Sequence, residues 1–125
     1  MHAVDLVFVN CLEVFGINIG RNLQTHFMSV YVVNAYDIHD PETFKEYPPR
    51  VAPLLQKHGA KLLAMDTEAK ALEGQPKKMN AILEFPSEEA VHKFYNDPEY
   101  QSFIHLRHDS TSNCTMIILK QFEKK

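Results

Sequence analysis

Residues 30–59 read VYVVNAYDIHDPETFKEYPPRVAPLLQKHG, and this stretch holds the first strand and helix of the fold. Val30–Asp37 is rich in β-branched and aromatic side chains, the composition of a strand. Asp40 then supplies an N-cap, with Pro41 at the first helical position. Phe44, Tyr47, Val51, Leu54 and Leu55 recur at a helical period, so one face of the following helix turns inward. Pro48, Pro49 and Pro53 lack an N–H, which predicts a break near Tyr47–Pro49 and a restart running to His58. Gly59 ends that helix.

The same punctuation recurs downstream. Residues 60–66 (AKLLAMD) form a second strand, extended as a twisted edge through Lys70–Glu73, with Gly74-Gln75-Pro76 as the turn. Met79–Phe85 is the third strand. Ser87 caps a helix through Tyr95 with Glu88 and Glu89 in its first turn, where negative charge meets the helix dipole favourably. Asp97-Pro98 repeats the cap-plus-proline signal and starts a second short helix through about His108. Cys114–Phe122 is the last strand. The order βαββαβ, with a split second helix, points to an α+β, ferredoxin-like fold with helices on one face of an antiparallel sheet.

Upstream of Met28 the composition changes. All seven prolines fall between Pro41 and Pro98, whereas residues 1–27 contain none and carry only Asp5, Glu13 and Arg21 as charges. They lack a basic leader and a small-residue cleavage site, so they do not read as a signal peptide. No uninterrupted apolar run approaches the ~20 residues of a membrane span. We expect residues 1–27 to be an extension ahead of a natural start at Met28-Ser29, or a loose arm or extra edge strand, and residues 28–125 to be the folded domain.

Composition narrows the function classes. The 125 residues carry 13 basic and 16 acidic side chains, a net charge of −3 with histidines neutral. That balance gives no basic field for a nucleic-acid backbone or an anionic membrane surface. With 45% hydrophobic residues the chain can bury a core. Cys11 and Cys114 form neither a CxxC pair nor a dense disulfide framework, which suits a reducing, cytoplasmic compartment.

The strand faces add a partner. Val30 and Val32 point one way and Tyr31, Val33 and Ala35 the other, while Met116 and Ile118 oppose Ile117 and Leu119. Both faces are apolar, yet the helices of so short a chain cover only one. A second copy packed sheet to sheet is the economical cover, giving a homodimer with an interface of about 1,600 Å². The extension could instead fold over that face.

The most informative segment for chemistry is Asp97–His108, DPEYQSFIHLRH. Tyr100, Phe103, Ile104 and Arg107 share one helix face, so the arginine turns inward with the aromatics. A buried guanidinium needs a partner, because an unpaired buried charge costs several kcal/mol. Either Arg107 is a fork for a ligand carboxylate, carbonyl or enolate oxygen, or it pairs with an internal acid such as Glu84, or it reaches out to solvent at the helix end. Tyr31, Tyr36, Tyr47, Tyr95 and Tyr100 could edge a ligand pocket with phenol hydroxyls, or serve as amphipathic core. Tyr100, Tyr47, Phe103 and Arg107 are the candidate ligand-binding set. His58 reads as a helix-end cap, or as an acid or base if the pocket opens there, which makes it the catalytic candidate beside Arg107. His105 and His108 lie three apart without a third ligand, so no metal is expected. Cys114 reads as a small buried side chain without a basic neighbour. No GxGxxG, P-loop or GxSxG occurs, since Gly16-Ile17-Asn18-Ile19-Gly20 only superficially suggests one, and no cofactor is expected.

Several phrases occur in a familiar order: Val30-Tyr31-Val32-Val33, Asp40-Pro41-Glu42-Thr43-Phe44-Lys45-Glu46-Tyr47, Lys57-His58-Gly59-Ala60-Lys61, Leu72-Glu73-Gly74, Glu84-Phe85-Pro86-Ser87 and Phe94-Tyr95-Asn96-Asp97-Pro98-Glu99-Tyr100-Gln101. Together they resemble the thirteen-thirty family of domains of unknown function, over about residues 28–122. The resemblance implies a dimeric α+β barrel and carries over Tyr100 and Arg107, but brings no known reaction. Ala60 and Lys61 depart from the family's second glycine and following arginine, which would weaken any anion contact there. Related dimeric barrels include cofactor-free monooxygenases, haem-degrading enzymes, lactone isomerases and ligand-sensing modules. Two functions follow as expectations. One is a small enzyme acting on a carbonyl- or phenol-containing metabolite, of cofactor-free oxygenase or isomerase type. The other is a non-catalytic, small-ligand-binding or stress-associated dimer.

Overall fold

The computed structural model describes residues 28–123. The reading of residues 1–27 as an extension therefore lies outside the described residues. The elements are β1 (Val30–Ile38), α1 (Pro41–Phe44), α2 (Tyr47–Lys57), β2 (Lys61–Asp66), β3 (Met79–Phe85), α3 (Glu88–Tyr95), α4 (Pro98–Phe103), α5 (His105–His108) and β4 (Thr111–Lys120). The strands form one four-stranded antiparallel sheet in the order β2-β3-β1-β4. This is the ferredoxin-like arrangement that the βαββαβ order predicts.

Local chemistry starts each helix. Asp40 accepts from the Thr43 N–H at 3.2 Å and from its hydroxyl at 2.8 Å. Ser87 Oγ accepts from the Ala90 N–H at 3.0 Å, and Asp97 Oδ1 from the Glu99 N–H at 2.9 Å. These side chains satisfy amide donors that a helix start leaves unpaired. The expected break falls at Lys45–Glu46, just ahead of Tyr47, which leaves Pro48 and Pro49 in the first turn of α2, where their missing N–H costs little. After α2, Gly59 adopts φ +80, and a Cβ there would meet the Pro86 ring at 3.1 Å. Both its backbone and its surroundings require glycine.

Three elements differ in their bounds from the sequence reading. Residues 70–73 do not extend β2, because the Asp66 carboxylate accepts from the Glu68 N–H at 2.7 Å and turns the chain away. The last strand begins at Thr111, opposite Ile38, and stops at Lys120, where its partner β1 begins at Val30. The helix begun at Asp97 is split in two at Ile104.

The helices cover one face. Val30, Val32 and Tyr36 of β1 and Met79, Ala81, Leu83 and Phe85 of β3 are buried there against Phe44, Tyr47, Leu54, Phe94, Tyr100 and Phe103. The opposite face carries Tyr31, Val33 and Ala35 half-buried, with Ile82 at 39%, Ile117 at 48% and Leu119 at 48% exposure. It is apolar and uncovered by the described residues, as the alternation predicted.

Candidate functional site

Arg107 sits on a corner whose backbone is tied down. The Ser110 hydroxyl donates to the Leu106 carbonyl at 2.6 Å and the Thr111 hydroxyl to the Arg107 carbonyl at 2.7 Å. The Ser110 carbonyl in turn accepts from the His39 and Asp40 N–H groups at 2.9 and 3.2 Å, joining the α5–β4 corner to the β1–α1 corner. From this mount the Arg107 side chain runs inward and is 3% exposed. It does not reach out to solvent at the helix end. Its Nη1 donates to Cys114 Sγ at 3.3 Å and its Nη2 to the Tyr100 hydroxyl at 3.4 Å, with the guanidinium carbon 5.9 Å from the Tyr47 ring centroid.

The expected alternative partner, Glu84, is not there. Glu84 pairs across the sheet with Tyr31 and Lys61, in phase with the bare face rather than the helix face. Among the described residues no carboxylate forms an ion pair with Arg107, and its buried Nε has no hydrogen-bond partner. A guanidinium carries five N–H donors, and here the one on Nε is buried and unused.

Behind Arg107 stands a pair of phenols. Tyr100 is fully buried at 0% exposure, and its hydroxyl and that of Tyr47 share a 2.7 Å hydrogen bond. Arginine can only donate, so the Tyr100 oxygen accepts from Arg107 and its proton is free to go to Tyr47. Burial, then the Tyr100 oxygen, pushes the Tyr47 pKa far above the ordinary phenol value. Burial pushes Tyr36 up to about 12, with the Arg107 charge pulling the other way. For Arg107 itself burial opposes the charge, but the Tyr100 and Tyr47 oxygens outweigh it and hold the pKa above its ordinary value. The site therefore presents a fixed cation beside the Tyr36 and Tyr47 phenols, whose ionisation burial disfavours.

These groups line a cavity of about 660 Å³ between helices and sheet. Its polar side chains include Asn34, Tyr36, Tyr47, Arg107, His108 and Cys114, set in walls such as Val51, Leu83 and Phe94. Of the candidate ligand-binding residues, Tyr47 and Arg107 line the cavity. Tyr100 and Phe103 stand one layer behind, with the Phe103 ring edge-on to Tyr47 at 6.2 Å and to Tyr100 at 5.6 Å.

His58 is placed elsewhere. Its Nε2 lies 2.8 Å from Asp97 Oδ2, its ring packs on Phe94, and it is not part of the cavity wall. Asp97 Oδ2 also accepts from Lys57 Nζ at 3.0 Å. The His58 hydrogen bond, with those from the Glu99 N–H and Lys57, holds the Asp97 carboxyl well below the usual carboxylate range.

Two cavity residues escaped the sequence reading. Cys114 is exposed rather than buried, and it does have a basic neighbour, because β4 starts earlier than expected and brings the thiol beside Arg107. Asn34 was passed over inside an apolar strand. It shares the phase of Val30, Val32 and Tyr36, so a polar residue on the helix-facing side was the signal that could have found it. Of the two histidines of α5, His108 lines the cavity and has its pKa lowered by burial and by Arg107, against a smaller contribution from Asp109. Among the described residues no group of three or more His, Cys, Asp or Glu is placed to hold a metal ion.

The family model for the domain of unknown function DUF1330 matches residues 29–122, most of the chain and all of the described elements. The chain belongs to the DUF1330 family. No curated protein matches it. In structure the DUF1330 chain is similar to a protein of unknown function from Rhodopseudomonas palustris, at 16% identity and a TM-score of 0.68, over 85% of this chain and 93% of that one. It is also similar to SnoaB, a cofactor-independent oxygenase from Streptomyces nogalater, at 11% identity and a TM-score of 0.58, over 78% and 96% of the two chains. A third likeness is to a dimeric protein of unknown function with a ferredoxin-like fold from Bacteroides fragilis, at 10% identity and a TM-score of 0.54, over 74% and 96%. At these identities the likeness establishes the fold of the DUF1330 chain. No helix among its described residues is long and apolar enough to cross a membrane.

Proposed function

We propose that this DUF1330 protein is a homodimer whose cavity binds a small carbonyl- or phenol-containing metabolite, with Arg107 gripping an anionic or partly negative oxygen. One observation carries the reading: Arg107 is a buried cation, lining a cavity, with no carboxylate partner among the described residues. A charge of that kind is costly when left unpaired, and a ligand oxygen is what offsets it. The volume of about 660 Å³ suits a small organic molecule. A fixed cation at a cavity wall also favours charge building up on a carbonyl or enolate oxygen, the demand of a cofactor-free oxygenase or isomerase.

A non-catalytic binding module is the second reading, and the placement of His58 favours it. The proton-moving candidate faces Asp97 instead of the cavity, which leaves Tyr36, Tyr47, His108 and Cys114 among the cavity's proton-bearing side chains beside Arg107.

The ligand claim is tested by thermal melts of the full chain with a panel of aromatic carboxylates, phenols and enolisable ketones, on wild type and Arg107→Met. At about 100-fold excess over Kd, a true ligand raises the wild-type Tm by about 10 °C or more. No shift with any compound, or equal shifts in the variant, overturns the reading. Mass spectrometry of the same incubations under air separates turnover from binding. The dimer rests on the bare apolar face and is tested by sedimentation. Leu119→Lys is expected to give a monomer, and a wild-type monomer would contradict the assembly.

A further inference from the structure

Two buried side-chain atoms stand without a hydrogen-bond partner among the described residues: Arg107 Nε and Asn34 Oδ1. Both residues line the same cavity. One is a donor and the other an acceptor, and buried polar groups of either kind cost about 1–3 kcal/mol each when unsatisfied. Orphans of this kind are few in a folded protein, and here both belong to residues of one cavity whose other walls are largely apolar.

Their relative placement follows from the sheet. Asn34 lies opposite Met116 in the β1–β4 ladder, and Cys114, which touches Arg107, is two residues further along β4 on the same face. Tyr36, two residues along β1 from Asn34, feels the Arg107 charge. Same-face neighbours two residues apart on a strand are about 7 Å apart. The two orphans therefore belong to separate positions on the wall of one cavity, Asn34 on β1 and Arg107 beside Cys114 of β4, so two separate groups of one ligand are needed to meet both.

Resting on the reading of the cavity as a ligand site, we infer that Asn34 is a specificity-determining residue: the ligand is an apolar, ring-sized molecule with an acceptor oxygen for Arg107 at one pole and an O–H donor for the Asn34 carbonyl at the other. A hydroxylated aromatic carboxylate or hydroxy-ketone has this chemistry. A plain aromatic acid satisfies Arg107 and leaves Asn34 unpaired. A methyl ether in place of the hydroxyl fills the space and offers no proton, so it fails at the same atom. Selection by an unpaired buried acceptor is stronger than selection by shape alone.

Calorimetric titration of the full chain with 2-naphthoate, its monohydroxylated isomers and the matching methyl ethers tests this. Wild type is expected to bind at least one hydroxy isomer about ten-fold or more tightly than both 2-naphthoate and the corresponding ether. Asn34→Leu is expected to erase that preference, so that the hydroxy isomer, its ether and 2-naphthoate bind within about two-fold of one another. The ether comparison needs no variant and stands even where Asn34→Leu fails to fold. Arg107-dependent binding of 2-naphthoate with no hydroxyl preference in wild type, or a preference that survives in Asn34→Leu, overturns the role of Asn34 and leaves the Arg107 site intact. Binding of none of these probes overturns the ligand site itself and the role of Asn34 with it.

Discussion

Asp97 and Arg107 belong to the same short segment and are both buried, but their surroundings treat them in opposite ways. Asp97 receives His58, Lys57 and the Glu99 N–H within 3.0 Å, so its carboxylate is satisfied from the protein's own groups. Arg107 donates to a thiol and a phenol, has no carboxylate partner among the described residues, and keeps a buried Nε–H without a partner. A charge that the fold neutralises holds the fold together. One that the fold leaves without a carboxylate is, in our proposal, met by a ligand oxygen.

The most direct way to break this contrast is Arg107→Met. Ligand affinity should fall by about 100-fold or more, while the free protein loses no more than the hydrogen bonds to Tyr100 and Cys114 supply, about 1–3 kcal/mol. A large loss of Tm without ligand would mean that Arg107 is structural after all. Asp97→Asn should do the reverse, lowering the Tm and leaving Kd unchanged. The pH dependence has a definite sign. A carboxyl whose folded pKa is depressed contributes stability present above its unfolded value of about 4 and lost as the pH falls below it. Acid melts of Asp97→Asn should therefore be flatter than those of wild type, and parallel curves would refute the assignment.

Tyr100→Phe sharpens the comparison from the side of Arg107. It removes the hydroxyl joining Tyr47 to the guanidinium, so we expect a loss of about 1–3 kcal/mol in chemical denaturation, with weakened ligand binding. The last effect is alkaline. Tyr36, at about 12 when folded against about 10 unfolded, contributes stability that is present below pH 10 and lost as the pH rises from about 10 to 12. Bound ligand beside Arg107 should change that loss, and Tyr36→Phe should reduce it.

How much of this was legible in sequence depended on how local each signal was. Asp40-Pro41, Ser87 and Asp97-Pro98 announce helix starts within three residues of themselves, and the structure uses all three as caps. The start of β4 at Thr111 was not legible, because Thr111, Ser112 and Asn113 show no apolar alternation and are recruited by pairing with Ile38 and Asp37. Nor was the role of Cys114, which depends on that same recruitment. The bare apolar face could be read from alternation alone, since strand geometry sends neighbouring side chains to opposite sides.

The sequence by itself determined the order of elements, the split of strand residues between two faces and the inward turn of Arg107, because caps, periodicity and alternation act over a few residues. Only the tertiary structure decided what Arg107 and His58 would meet. Glu84 and Arg107 are separated by the sheet, while His58 and Asp97 are joined across 39 positions. Pairing at that range is set by strand register and helix packing, which no short stretch encodes.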